Sequence, residues 1–207
     1  MMKKILSIFS LFFFLETGLF GWQVNPAETK PPPPLVLLNA AEHLLCGKSR
    51  DGKIEFEDGT KFKVLSAEAL KVYEEWDYYD HLSVTPNVMP MGGSEYYITN
   101  HDKDDVFVHA NFLDKPYGNS DYTQFINHID KHEGRVSIFN ENGNEFWWMI
   151  EPKDLSKAEK WHEKDRVIIG KNDVWIETFY TDCQYIMINL DCSHLPHIRI
   201  SPLYNND

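Results

Sequence analysis

His128 and His132 stand four residues apart, with Asp130 and Glu133 beside them. On a helix that spacing would aim both imidazoles at one metal ion. A zinc-protease helix also needs a glutamate directly after its first histidine, and Ile129 occupies that place. His101-Asp-Lys-Asp-Asp105 alternates acidic positions like a calcium loop, but it has no glycine at the sixth place and no bidentate glutamate at the twelfth. Cys192-Ser-His194 gathers three nucleophile and base types in sequence, without the Gly-x-Ser-x-Gly elbow that would expose a hydroxyl. Carboxylate pairs such as Glu74-Glu75 and Asp104-Asp105 become acid and base only across a cleft. No catalytic, cofactor-binding or metal-ligating residue is therefore assigned, and no cofactor is expected.

Three cysteines make an odd number, and an oxidising compartment would pair two of them. Cys183 and Cys192 are the candidate pair, because they flank one apolar strand and a turn after Asn189 could fold them together. Cys46 is left over.

The elements that would position these groups come in a doubled order. Ile54 to Val108 and Ile138 to Ile200 share a sequence of landmarks. Each opens on a strand and a glycine turn, Asp58-Gly59 or Asn142-Gly143, with an aromatic residue, Phe62 or Phe146, three places on. Such pairs between apolar runs predict hairpins closed by type I′ turns. Next come short amphipathic helices, with Leu70, Tyr73 and Trp76 on one side of the first and Leu155, Ala158 and Trp161 on one side of the second. The two tryptophans are expected to plug the cores. Asp80 and Asp165 follow four residues later, then alternating runs in which Leu82 and Val84, or Val167 and Ile169, share a face. Tyr96 to Asn100 and Tyr185 to Asn189 close the two copies as strands.

The pattern Asp58-Gly-Thr-x-Phe62-x-Val64, Trp76-x-x-x-Asp80-x-Leu82-x-Val84 and Tyr96-Tyr-Ile-Thr-Asn100 resembles one found in small exported bacterial proteins of uncharacterised function. Their repeat reads Asp-Gly-Ser-x-Trp-x-Val, then Trp-x-x-Gly-Asp-x-Val-x-Ile. The resemblance covers over half the chain and implies a β-rich exported protein; it carries no catalytic residue across. Here Tyr79 and Lys164 replace the glycine before the aspartate, which predicts a turn of another form.

The expected fold is mainly β with short helices, in two tandem SH3-like or OB-like barrels or bent sheets; one sheet shared by both copies is the competing arrangement. Residues 1–21 read as a signal peptide, with basic Lys3 and Lys4 before the apolar run Ile5 to Leu15, which is too short to span a bilayer comfortably. Residues 22–34 form a proline-rich spacer, 35–112 the first repeat with its lead-in, 113–135 a linker with a helix over Tyr122 to Glu133, and 136–203 the second repeat.

The formal charge of -12 becomes -13 without Lys3, Lys4 and Glu16. That balance excludes a phosphate-backbone partner, which needs clustered cations. The expected role is therefore a non-enzymatic one, exported to the periplasm, surface or medium, with a protein partner in the cell envelope; an envelope hydrolase or metal-dependent enzyme is the alternative. Trp147 and Trp148 would point to opposite faces of a strand, leaving one available for binding.

Overall fold

The structure, a computed structural model, describes residues 39–203 apart from 89–92, 141–142, 174–180 and 194–196. All of these lie in one unit that begins at Pro33. The described residues form two sheets. The first holds β1 (His43–Leu44), β2 (Gly47–Lys48), β3 (Lys53–Glu55), β4 (Lys61–Val64), β5 (His81–Pro86), β6 (Tyr96–Asn100) and β7 (Val106–Asp114), with helix α1 (Ala67–Glu74) between β4 and β5. The second holds β8 (Gln124–Asp130), β9 (Arg135–Asn140), β10 (Glu145–Ile150), β11 (Arg166–Lys171), β12 (Tyr185–Asn189) and β13 (His197–Pro202), with a 3-10 turn (Pro152–Asp154) and α2 (Leu155–Ala158) after β10. The fold is thus mainly β, in two barrel or bent-sheet modules.

The first sheet runs β1-β5-β6-β7-β4-β3-β2, and the second closes as β10-β13-β12-β11-β8-β9. Within these orders β3-β4-β7-β6-β5 and β9-β10-β13-β12-β11 follow the same course. Only Leu45 and Cys46 separate β1 from β2, so the first sheet curls until its two ends adjoin along the chain.

One hydrogen-bonded staple recurs in both modules. Asp80 Oδ2 accepts from the Asp77 amide at 2.9 Å and from Asn100 Nδ2 at 2.6 Å. Asp165 Oδ2 accepts from the His162 amide at 2.9 Å and from Asn189 Nδ2 at 2.7 Å. The Asp80 and Asp165 carbonyls then accept from the amides of Leu45 and Ile126, at 3.0 and 2.9 Å. Each staple thereby ties the turn after a helix to two strands at once. Trp76 and Trp161 sit beneath, buried in separate cores. Lys48 Nζ and Lys131 Nζ each donate at 3.0 Å to the helix-end carbonyls of Glu74 and Glu159, where the helix dipole favours a cation.

Three local expectations need correction. The residues before the aspartates, Tyr79 and Lys164, both hold φ 71. The turn therefore keeps the left-handed form without glycine, held by amides of Tyr79 and Lys164 that donate to Leu45 and Ile126 carbonyls. The first hairpin does not close on a type I′ turn, since only Gly59 has positive φ there. Gly59 N donates to Phe56 O and Phe56 N to Thr60 O, the pattern of a type I turn followed by a glycine bulge. Asp58 is drawn back instead onto Thr60, accepting from its amide at 2.8 Å and its hydroxyl at 2.6 Å. Gly143 bonds back to Asn140 in the same way; Asn142 lies outside the described residues.

The third correction concerns the linker. The helix expected over Tyr122 to Glu133 is the strand β8. The register with β9 slips at Asn127, so Ile126 opposes Ile138 and Ile129 opposes Val136. One extra residue turns the two-residue repeat of a strand into a spacing of three on the core side, which sequence alone cannot tell from a helical turn.

The modules meet at β5 and β11. Ile168, Ile186, Ile188 and Leu190 of the second module share one buried cluster with Leu82 and Val84 of the first, while Val167 and Ile169 turn to their own core. A Cβ on Gly170 would stand 2.5 Å from the Val84 carbonyl oxygen. Backbone meets backbone there, and only glycine fits. Gly170→Ala should destabilise the protein by about 1–3 kcal/mol through overpacking, lowering the midpoint of a calorimetric melt by roughly 2–4 °C per kcal/mol in a chain of this size. An unchanged midpoint would show that the joint is loose.

Candidate functional site

The polar side chains of the joint stand on either side of Gly170. On one side His43, at the head of β1, is buried with its ring stacked on Phe56 at 4.5 Å. Its Nδ1 lies 2.9 Å from Glu57 Oε1, and its Nε2 lies 2.9 Å from the carbonyl oxygen of Ile169. A carbonyl can only accept, so Nε2 carries a proton, and the carboxylate draws a second onto Nδ1. Burial works against the charged ring, but the charge and hydrogen bond of Glu57, the charge of Asp58 and the Ile169 carbonyl outweigh it, raising His43 to about 9. Asp58 is also raised, by burial first and by the neighbouring Glu57 charge, with Thr60 and His43 opposing.

On the other side Lys171 reaches His101. His101 Nε2 lies 2.9 Å from Ser83 Oγ and 3.1 Å from Lys171 Nζ, and Nδ1 lies 2.5 Å from Asp105 Oδ1. The ammonium can only donate, so Nε2 accepts and the ring proton sits on Nδ1, facing the carboxylate. Asp104 and Asp105 adopt left-handed φ values of 54 and 57, and that turn brings Asp105 back onto its own histidine.

Ser83, His101 and Asp105 have the connectivity of a nucleophile, base and orienting acid. Their setting differs from a hydrolase site. Ser83 is 1% exposed and lies mid-strand, paired with Thr99 of β6, with no turn to present its hydroxyl. What the arrangement does chemically is tie β5, the 101–105 turn and β11 together.

A second histidine network lies on the outer face of the first sheet. Tyr97 OH donates to Asn87 Oδ1 at 2.9 Å, Asn87 Nδ2 donates to Ser94 Oγ at 2.7 Å, and Ser94 Oγ lies 2.9 Å from His109 Nδ1. These bonds hold up a cluster of three rings: Tyr97 meets Phe107 at 5.3 Å and His109 at 4.8 Å between centroids, both edge-on. Phe107 is 52% exposed, and Leu65 is 40% exposed. Leu65 adjoins His109 directly, since its amide donates to the His109 carbonyl. Together they form an apolar patch with polar backing.

The residues singled out from sequence are dispersed. His128 and His132 do not converge: His128 faces Glu163 at 3.1 Å, and the His132 amide donates to Asp130. Among the described residues no group of three or more His, Cys, Asp or Glu side chains converges to hold a metal ion. The expected bridge between Cys183 and Cys192 is not formed. Cys183 precedes the extended strand β12 by two residues and Cys192 follows it by three, so the strand separates them. Cys183 Sγ instead lies 3.4 Å from Glu151 Oε2 and from Ser201 Oγ. His194 lies outside the described residues.

Trp148 is buried in the second core, and Trp147 faces outward with the Arg135 guanidinium over its ring at 5.3 Å. That cation covers a ring the sequence left open for binding. A cavity of about 500 Å³ lies beside α1, lined by Lys48, Tyr73, Trp76 and Tyr78. Its Lys48 already caps the helix, donating to Trp76 O at 2.5 Å as well as to Glu74. Sequence reasoning missed His43, Ser83 and Lys171 altogether. The available signal was weak, a histidine in an apolar lead-in, and their partners lie far away in the chain. No helix of the described residues is long and apolar enough to cross a membrane.

Comparison with known proteins returns no match to this chain from family models, curated proteins or solved structures.

His43 and Asp58 both bind a proton more tightly folded than unfolded. The stability they confer is full below their unfolded values and is lost as pH rises through the folded ones. For His43 the window runs from about 6.5 to about 9. Urea melts should therefore show stability falling across that window, and His43→Gln should flatten the fall. A wild-type curve that is level between these limits would overturn the assignment of an imidazolium at the joint.

Proposed function

We propose that this chain is an exported, non-enzymatic binding protein that offers the outer face of its first module to a protein partner in the cell envelope. Export rests on the basic and apolar start of the sequence, and the paired strand orders and staples support descent of both modules from one ancestral unit. The observation that carries the binding role is the exposed Phe107 ring, braced edge-on by Tyr97 and His109 and backed by the buried Asn87 and Ser94. Rigid aromatic anchors lose little conformational entropy on binding and dominate protein interfaces. Asp and Glu outnumber Lys and Arg by 32 to 20, which argues for a partner without dense negative charge.

A photoreactive residue at position 107 should crosslink to one protein in intact envelopes. Phe107→Ala should weaken recovery of that protein by ~10-fold or more, the effect of losing an anchor worth about 1–3 kcal/mol, while the melting temperature stays close to wild type. Crosslinks spread over many proteins, or recovery unaffected by Phe107→Ala, would count against the reading.

A hydrolase is the second reading, favoured by the Ser83, His101 and Asp105 connectivity alone. A fluorophosphonate probe decides it. The binding reading expects no labelling of the folded protein, and labelling abolished by Ser83→Ala would replace it with the hydrolase.

A further inference from the structure

We propose that the joint between the modules is a proton-operated latch: a proton taken up by His101 turns Nε2 from acceptor to donor, releases Lys171, and loosens β11 from β5. The geometry makes this step one-sided. In the neutral ring Nε2 accepts from the Lys171 ammonium at 3.1 Å, with the Ser83 hydroxyl 2.9 Å away. An imidazolium can still donate to the hydroxyl, but it offers the ammonium nothing to donate to. It would also place two cations in contact, a like-charge pair that must separate.

The groups that face His101 decide which cation yields. From its own turn Asp105 bonds Nδ1, and Asp102 lies close enough to be lowered by its charge. From β5 come Ser83, and His81, which is itself paired to Asp102 at 2.9 Å. From β11 comes Lys171 alone, and Glu42 ahead of β1 feels the Lys171 and His81 charges weakly. Two carboxylates on the 101–105 turn thus welcome the charged ring, and among the described residues no carboxylate is ion-paired to Lys171. Lys171 is the group that leaves, and β11 goes with it.

The other side of Gly170 stays closed under the same conditions. His43 is already an imidazolium, held by Glu57 and the Ile169 carbonyl, and acid leaves both bonds in place until the carboxylate itself is protonated. One edge of the joint therefore opens while the opposite edge acts as a hinge. The opening would uncover Ile168, Ile186 and Ile188, the apolar outer face of β11 and β12 now buried against the first module.

The test uses the full exported chain at pH 7.5 and pH 5.5. Deuterium uptake, corrected for the intrinsic pH dependence of exchange, is read for peptides covering 166–171 and 185–190, with binding of an apolar dye as a second measure. The expected result is severalfold faster uptake and stronger dye fluorescence at the lower pH, reversed on neutralisation, with no loss of far-ultraviolet dichroism. Lys171→Met removes the like-charge conflict and should keep the joint shut at both pH values. His101→Gln cannot titrate and should abolish the pH response. Equal uptake in the wild-type protein at the two pH values would overturn the proposal without any variant. So would a pH response that survives in both variants.

Discussion

Each module depends on a carboxylate oxygen that accepts from two directions. In the first, Asp80 binds the amide of Asp77 and the carboxamide of Asn100; in the second, Asp165 binds the amide of His162 and the carboxamide of Asn189. The asparagine oxygens are not idle, since they accept from the amides of Asp102 and Asp191. A chain of bonds thus runs from the turn after each helix, through a carboxylate and a carboxamide, into the turn after the second closing strand. All four side chains are buried or nearly so. A buried polar group left without its partner costs about 1–3 kcal/mol, so loss of either member would open the turn that seats the tryptophan.

Neither module is large. Units of 72 and 79 residues, His43 to Asp114 and Gln124 to Pro202, bury a smaller share of their surface than larger domains do, and at the joint they share one core. The core of the first module continues into Ile168, Ile186, Ile188 and Leu190 of the second, and Gly170 lets the strands approach until a carbonyl lies where a side chain would otherwise stand. Close packing of this kind constrains both faces of β5. Leu82 and Val84 serve the first core, and Ser83 joins the histidine tie to Lys171. The aromatic cluster of Tyr97, Phe107 and His109 is built on the next two strands, β6 and β7, which pair with β5 and with each other.

The tandem architecture was legible in the sequence because its landmarks are local: a glycine turn, a helix-borne tryptophan 17 or 18 residues on and an aspartate four residues after it recur in the same order. Three kinds of information were not. The bulge at Asn127 gives β8 the apolar spacing of a helix, so periodicity misreports it. Tyr79 and Lys164 hide a glycine-like conformation behind ordinary side chains, because neighbouring carbonyls at Leu45 and Ile126 enforce it. The joint joins residues remote in the chain, with His43 lying 126 positions from Ile169, and no spacing rule reaches that far. The same distance explains why His101 could be seen beside Asp105 but not beside Ser83 and Lys171, and why Cys183 and Cys192 looked closer than β12 allows.

The central claim is that two equivalent staples hold two equivalent modules, and native-state amide exchange followed residue by residue tests it most directly. The account predicts that the amides of Asp77, His162, Leu45 and Ile126, which end on the two aspartates, exchange only with global unfolding and with matching protection in both halves. Protection of the Asp77 and Leu45 amides with fast exchange at His162 and Ile126, or the reverse, would contradict it.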